Sequence, residues 1–424
     1  MSNLWMPFTQ MSSAAEPEWV ERGEGAWIYL KDGRKVFDAI SSWWVTLHGH
    51  GRPEIAEAIY RQALKLEQVI AAGFTHQPAQ DLARRLVEML PEGLSRVFYS
   101  DNGSTSTEVA LKMAFQYWRN RRTPRRDKFL ALEGGYHGDT LGAMSVGDPD
   151  LFSPVFKPLL FDCHRLPVPH TFWGVNDIEE REAAALQAAK EALEADPEGY
   201  AALIVEPLVQ GAAGMKMFRP GWLKALVELA RSYGVLVIFD EVMTGFGRTG
   251  SLFACEQAGV TPDLICLSKG LTGGTMPLSV TVANEQVFAA FLGDQNSPED
   301  PTFYHGHSYT ANPLGCAAAL ASMDILLAEP RYLDLGEGHQ GGLKSLEGHP
   351  RLSQLRTQGT IAAMQWAPAP GARYNDGAAL KVAFLERGFI LRPLGPSLYI
   401  IPPYCTTPDE LAQVYRTIGE VLDQ

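Results

Sequence analysis

The chain has 424 residues, of which 46% are apolar and 20% charged; this is roughly two to three times the usual 100 to 200 residues of a domain, so disordered and fibrous classes drop out and a large core needs no disulfide or metal staple. Its 36 basic and 49 acidic side chains leave a net charge of −13, which excludes a dedicated nucleic-acid or anionic-membrane surface, because phosphate-rich partners are not drawn to such a field. Five cysteines, Cys163, Cys255, Cys266, Cys316 and Cys405, form no CxxC pair, no apolar signal-like run precedes the first basic residue, Arg22, and no window approaches the roughly 18 to 20 apolar residues of a membrane span, so a reduced, cytoplasmic protein is expected.

Residues 26–40 (AWIYLKDGRKVFDAI) predict a β-hairpin around a DG turn. From residue 96 to about 283, the apolar runs RVFYS, FLALE, AALIVEP, VLVIFDE, LICLSK and SVTVA recur between helical or loop stretches, which predicts a mostly parallel sheet in an α/β fold. After RVFYS the small-residue loop Asp101-Asn102-Gly103-Ser104-Thr105 opens a helix predicted over 107–118. Exposed N–H groups and the positive end of the helix dipole suit a phosphate there, and the same residues suit an ordinary N-cap. Residues 119–128 and 295–301 read as polar loops, and neither reads as an interdomain linker. An aromatic, Tyr136, stands in GGYHGDT. A helix is predicted over 220–234, with Pro at its start, Gly at its end, and Trp222, Leu223, Leu226, Val227, Ala230 and Tyr233 on one face.

The next strand runs directly into Asp240 and Glu241, where a carboxylate is either a pocket residue or a cap. The turn GFGRTG that follows carries Arg248 and reads equally well as a surface turn. LICLS runs into Lys269; desolvation at a strand mouth lowers an amine's pKa and frees it as a nucleophile toward an aldehyde, whereas a snorkelling lysine is the plainer reading. The last hundred residues read as helix, strands, helix, and with the N-terminal hairpin they predict a smaller α+β unit, dividing the chain into 1–45, 46–322 and 323–424. The pairs His48-x-His50 and His305-x-His307 have no Cys or carboxylate cluster at ligand spacing, so no metal is expected.

Four of these features follow strands of one sheet: the 101–105 loop, Tyr136, Asp240 and Lys269. Together they describe a site for pyridoxal phosphate, which needs a phosphate cradle, a stacking aromatic, a carboxylate that keeps the pyridine nitrogen protonated, and a lysine amine for its aldehyde.

On LWMPFTQM, SSWWVTLHGH, SDNGSTSTEVALKMAFQYW, GGYHGDTLGAMSVGDPD, IVEPLVQGAAGM, DEVMTGFGRTGSLFACE, SKGLTGGTMPLS, FYHGHSYTANPLGCAAA and LRPLGPSLYIIPPY, the chain resembles the class III, fold-type I pyridoxal-phosphate aminotransferases over essentially its whole length. The resemblance implies a large domain with a mostly parallel sheet flanked by helices, a smaller α+β domain built from both termini, and pyridoxal 5'-phosphate as cofactor. It also implies a homodimer with shared active sites. Lys269 would be the Schiff-base lysine and proton shuttle, Asp240 the partner of the pyridine nitrogen, and Gly103 and Ser104 the phosphate cradle. Tyr136 would stack on the ring, Gln210 reach its phenolic oxygen, and Glu206 sit behind. His307 and Ser308 would come from the neighbouring subunit.

Within the class, SSWW and LRPLG are similar to the biotin-pathway members. That implies transamination of 8-amino-7-oxononanoate to 7,8-diaminononanoate, with Trp43 against the aliphatic chain and Arg392 pairing the terminal carboxylate bidentately. Phe8, Asp139, Gly306 and Tyr399 match further substrate-side positions. Phe8 stands where the family motif often has Tyr, and HGHSYT where other members have HGPTF, whereas Tyr399 matches the S-adenosylmethionine-using type. S-adenosylmethionine is therefore the expected amino donor and lysine the alternative. An ω-aminotransferase for ornithine or 4-aminobutyrate would not call for SSWW together with LRPLG, and a catalytically silent relative would lack the lysine or the ring carboxylate.

Overall fold

The computed structural model describes residues 3–152, 154–293 and 300–424. Seven strands build the central sheet: β1 Leu94–Ser100, β2 Lys128–Leu132, β3 His164–Leu166, β4 Tyr200–Val205, β5 Leu236–Asp240, β6 Leu264–Leu267 and β7 Ser279–Asn284. Their order is β1-β7-β6-β5-β4-β2-β3. β7 is antiparallel to both of its neighbours, and the remaining pairs are parallel. All strands but β7 therefore end on the same edge. Every residue of β4 and β5 is buried, which is why their sequences run apolar without polar alternation as far as Asp240, the last residue of β5. The six predicted strands are all present. β3 was not predicted, because three residues, His-Arg-Leu, are too short and too polar to carry a pattern.

The helix after β1, here α1, spans Gly103–Asn120, four residues earlier than its apolar periodicity suggested, because its first turn is the small-residue loop itself. The predicted helix before β5, here α2, spans Pro220–Ser232 and buries Trp222, Leu223, Leu226, Val227 and Ala230. Each large side chain of that stripe contributes about 1.5–3 kcal/mol by leaving water. Residues 121–127 form the turn between α1 and β2. Of the polar loop predicted over 295–301, residues 295–299 lie outside the described residues.

The two ends of the chain meet. The N-terminal strands Val20–Glu24, Trp27–Leu30 and Lys35–Asp38 form an antiparallel ladder, and Phe389–Ile390 adds to it in parallel, with Phe389 opposite Phe37. A second sheet, Leu352–Gln358, Ile361–Trp366 and Ser397–Ile400, lies with the helices Tyr332–Ser345, Gly377–Glu386 and Pro408–Leu422. Helix Gly377–Glu386 interrupts the strands that the sequence presented as one block. Among the described residues no single helix is long and apolar enough to cross a membrane.

The surface-turn reading of Arg248 is corrected. Its side chain is 1% exposed, and its guanidinium donates to the carbonyl of Pro402 at 2.9 Å and reaches those of Trp44 and Thr46 at 3.4 Å. It holds the 44–46 backbone against the C-terminal part of the chain. The glycines flanking it made the turn look exposed, and the burial comes from contacts across 154 to 204 residues that no local pattern records.

Candidate active site

The shared strand edge opens into a cavity of about 680 Å³. β1 delivers Asp101–Ser104, the 134–140 loop after β2 delivers Tyr136 and Asp139, β4 leads to Glu206, β5 to Asp240 and β6 to Ser268 and Lys269, all of which line it. In an open parallel sheet this carboxyl edge is where ligands bind.

At the start of α1 both sequence readings hold. Asn102 caps the helix, its Oδ1 accepting from the Thr105 N–H at 3.1 Å while Thr105 Oγ1 accepts from the Asn102 N–H at 3.1 Å. The cap leaves the N–H groups of Gly103 and Ser104 without intrahelical acceptors beside the cavity, a cradle for a dianion. Gly103 is required by packing, since a Cβ there would lie 2.6 Å from Val242 Cγ1. The Ser104 hydroxyl contacts Thr140 Oγ1 at 2.7 Å and accepts from the Thr140 N–H at 3.0 Å, tying the 134–140 loop to the helix start. Gly138 makes that approach possible: its φ is +121°, and a Cβ would sit 2.3 Å from Ser104 Oγ.

Asp240 and Glu241, adjacent in sequence, divide the two roles left open. Asp240 lines the cavity, and its Oδ2 lies 2.7 Å from His137 Nδ1. Glu241 turns away, accepting from the N–H groups of Ala254 and Cys255 at 2.7 and 2.9 Å, and burial pushes its carboxyl up to about 7. His137 was not singled out from the sequence; it is 103 residues from Asp240, and its one local signal is the glycine-flanked motif it shares with Tyr136. Its Nε2 is buried without a partner, as is Gln210 Oε1, while Gln210 Nε2 donates to the Glu133 carbonyl at 2.8 Å.

Glu206 is a buried positioning group. Its two oxygens accept from the Tyr136 N–H at 2.9 Å and the Gly211 N–H at 3.0 Å, and burial pushes its carboxyl up to about 7. The Tyr136 phenol is raised by burial and then by the Asp139 carboxylate beside it. Lys269 begins a short 3-10 turn with φ +43°. Burial lowers its pKa, opposed by the carboxylates of Asp240 and Glu206 and assisted by Arg248. Its Nζ lies 4.9 Å from the Trp44 ring. The result is an amine more readily neutral than an exposed lysine, which is the condition for nucleophilic attack and for proton transfer.

A second cavity of about 250 Å³ continues the site, lined by Phe8, Trp43, Tyr136, Lys269, Arg392 and Tyr399 among others. Phe8 and Trp43 have ring centroids 5.5 Å apart, and the Arg392 guanidinium lies 4.9 Å over the Trp43 ring. Among the described residues no carboxylate pairs with Arg392. The structure does not bring Gly306, His307 or Ser308 to either cavity within one chain; His307 Nδ1 lies 3.3 Å from Asp101 Oδ1 of the same chain, and the Ser308 carbonyl accepts from Gln68 Nε2 at 2.7 Å. The histidine pairs diverge, His48 bonding Ser322 and His50 bonding Asp38, and among the described residues no three His, Cys, Asp or Glu side chains are grouped to hold a metal.

A cradle for a dianion, an aromatic ring, a buried carboxylate, an uncommitted buried imidazole nitrogen and a neutral-leaning amine suit a phosphate-bearing aromatic aldehyde. Comparison with known proteins agrees in kind. The model of the aminotransferase class-III family matches residues 10–422. The chain is 53% identical to an adenosylmethionine-8-amino-7-oxononanoate aminotransferase of Synechococcus elongatus, over 100% of this chain and 99% of that one. It is 41% identical to the protein of that name from Geobacter sulfurreducens, over 96% and 93% of the two chains. Among solved structures, the adenosylmethionine-8-amino-7-oxononanoate aminotransferase of Methanocaldococcus jannaschii superposes with a TM-score of 0.91 at 34% identity, covering 99% and 97% of the two chains. An amine transaminase from an uncultivated Pseudomonas species, in its PLP-bound form, superposes with a TM-score of 0.92 at 31% identity, covering 100% and 99%.

Proposed function

The chain belongs to the class-III aminotransferases, and from that premise we propose that it transfers an amino group to 8-amino-7-oxononanoate, giving 7,8-diaminononanoate in biotin biosynthesis, with pyridoxal phosphate as cofactor and S-adenosylmethionine as donor. The observation that carries the substrate is the Arg392 guanidinium, which pairs with no carboxylate among the described residues, over the Trp43 ring at the end of the cavity that begins at Lys269. An aliphatic chain with a carboxylate at its far end fits that arrangement.

Pyridoxal phosphate, when bound, supplies a conjugated electron sink for the pair released when a substrate C–H bond breaks, and it carries the amino group from donor to acceptor. The residues that would hold it are Gly103 and Ser104 at the phosphate, Tyr136 against the ring, Gln210 with its free Oε1 at the phenolic side, and Asp240 at the ring nitrogen. His137 orients Asp240, and Glu206 fixes the backbone of Tyr136. Lys269 Nζ would hold the cofactor's aldehyde end, and the same amine would take the proton from the carbon bearing the donor's amino group and deliver one to C7 of the acceptor. Arg392 pairs the acceptor's carboxylate and Trp43 covers its methylenes, while Phe8, Asp139 and Tyr399 complete the substrate side, with Gly306, which lines neither cavity of its own chain, reaching it from a second copy. The same cavity serves donor and acceptor in turn.

We further propose a cytoplasmic homodimer in which His307 and Ser308 of one copy complete the phosphate end of the other, with the domains divided at 1–45, 46–322 and 323–424. The exposed apolar side chains Ile70, Phe74, Tyr304 and Tyr309 support a covered face, and sedimentation should give twice the chain mass.

The test of the function is spectroscopic. The purified holoprotein is mixed separately with S-adenosylmethionine and with lysine, the cofactor absorbance is followed to its amine form, and 8-amino-7-oxononanoate is then added. Bleaching by S-adenosylmethionine, reversed by the keto acid, is expected. Bleaching by lysine alone would reassign the donor, and no recovery with the keto acid would remove this acceptor.

A further inference from the structure

The SSWW segment is bent in a way its residues do not favour. Ser41, Ser42 and Trp44 have φ of +50°, +58° and +65°, and Ser42 has ψ −87°. L side chains rarely adopt such angles, and they persist only where surrounding contacts over-determine them. The contacts converge on Asp38, whose side chain is completely buried. Its Oδ2 accepts from the Ser42 hydroxyl at 2.9 Å and lies 3.0 Å from His50 Nε2, and its Oδ1 takes the Ile40 N–H at 3.3 Å. The Ser41 hydroxyl donates to the Ile401 carbonyl at 2.7 Å.

Trp43, carried by this bend, lines two cavities at once. In front is the cavity of about 250 Å³ that reaches Lys269. Behind is one of about 200 Å³, walled by Ile40, Ser42, Leu385, Phe389 and Ile390. Arg392 and Tyr399 also line both. An aliphatic acceptor that enters past Lys269 therefore meets the indole and the guanidinium as an end wall, with further apolar space beyond it.

We propose that Asp38, acting through the Ser42 hydroxyl, latches the bend so that Trp43 stands as a fixed partition between the two cavities, and that this partition sets the length of acceptor the site takes. Asp38 and Ser42 are positioning residues in this scheme. They touch no substrate, and the inference rests on the reading of Trp43 and Arg392 as the acceptor's end of the site. Cutting the latch frees the indole, joins the two spaces, and gives a longer chain room that the native acceptor cannot use.

The experiment uses Ser42→Ala and Ser42→Gly in the holoprotein, because the Ser42 side chain sits at the surface and its loss leaves the core intact, whereas Asp38→Asn disturbs a buried group. Three quantities are measured: cofactor affinity by absorbance, kcat and KM for 8-amino-7-oxononanoate, and kcat/KM for the homologue with two more methylenes. Cofactor affinity should stay within a factor of about two and KM for the native acceptor should rise about tenfold, while the preference for the longer homologue rises about tenfold, the scale of one hydrogen bond. Glycine adopts the bend without strain yet lacks the hydroxyl, so both variants should behave alike. An unchanged chain-length preference in both, or a shift in alanine but not in glycine, would overturn the latch. If the unaltered protein does not turn over 8-amino-7-oxononanoate with either donor, the functional reading fails and the latch with it; if it does and the preference stays put, the latch alone fails.

Discussion

At the residue scale the site turns on two groups whose surroundings decide their protonation. Lys269 is desolvated, so its amine should titrate below an ordinary lysine. In the apoprotein, reductive methylation of Lys269 should reach half its limiting rate at a lower pH than methylation of exposed lysines, and Lys269→Ala should abolish product formation. Equal midpoints would contradict the assignment of its environment. Glu206 gives a stability prediction. Burial disfavours the charge and pushes its carboxyl up from the ordinary 4.5 to about 7. Between those values the folded protein keeps a proton that the unfolded chain has released, so this group lowers stability progressively as pH rises from about 4.5 to about 7, and the loss remains above that. Glu206→Gln should flatten the fall of the urea midpoint over that window, and an unaltered slope would show that Glu206 is ionised in the fold. Lys269 and Asp240 were legible in the sequence because each ends an apolar strand. His137 was not, since what it does depends on Asp240, a neighbour only in space.

At the element scale, the active edge is a set of loops locked to one another. The 134–140 loop is held to the first turn of α1 through Ser104 and Thr140, and Gly138 leaves the room for that contact. Gly138→Ala adds a Cβ into Ser104 at a φ that L residues avoid, so it should push the 134–140 loop away from Ser104 and carry Tyr136 and Asp139 out of place in the cavity. Absorbance titration should show cofactor binding weakened by about fivefold or more, the cost of roughly 1–3 kcal/mol typical of overpacking. Unchanged affinity would mean the loop moves without consequence. The strands were readable because β4 and β5 are buried on both faces and so continuously apolar. The bend at Ser41–Trp44 was not readable: positive φ at serine and tryptophan contradicts local preference and is imposed by Asp38, Ile401 and Arg248, of which two lie more than 200 residues away.

At the scale of the whole molecule, the C-terminal third grips the loop that borders the substrate cavity. Arg356 is buried and, among the described residues, pairs with no carboxylate. It donates instead to the carbonyls of Met215 at 2.8 Å, Gly214 at 2.6 Å and Gln354 at 2.7 Å, and burial pushes its guanidinium down to about 10. Arg356→Met fills the volume but leaves three carbonyls without their donor, so the free energy of unfolding in urea should drop by about 3 kcal/mol. A drop under about 1 kcal/mol would show that water replaces it. The meeting of Phe389 with Phe37 joins segments that the sequence could place only in the same unit, not in contact, and the Arg356 grip joins segments that the expected division at 322 assigns to different domains. The claim on which the rest depends is the reaction itself. Holoprotein should be incubated with S-adenosylmethionine carrying nitrogen-15 in its amino group and with 8-amino-7-oxononanoate, and the product analysed by mass spectrometry. The account predicts 7,8-diaminononanoate with the label on the C7 nitrogen, and its absence with Lys269→Ala. Unlabelled acceptor recovered intact from the active holoprotein, with lysine as donor failing equally, would contradict it.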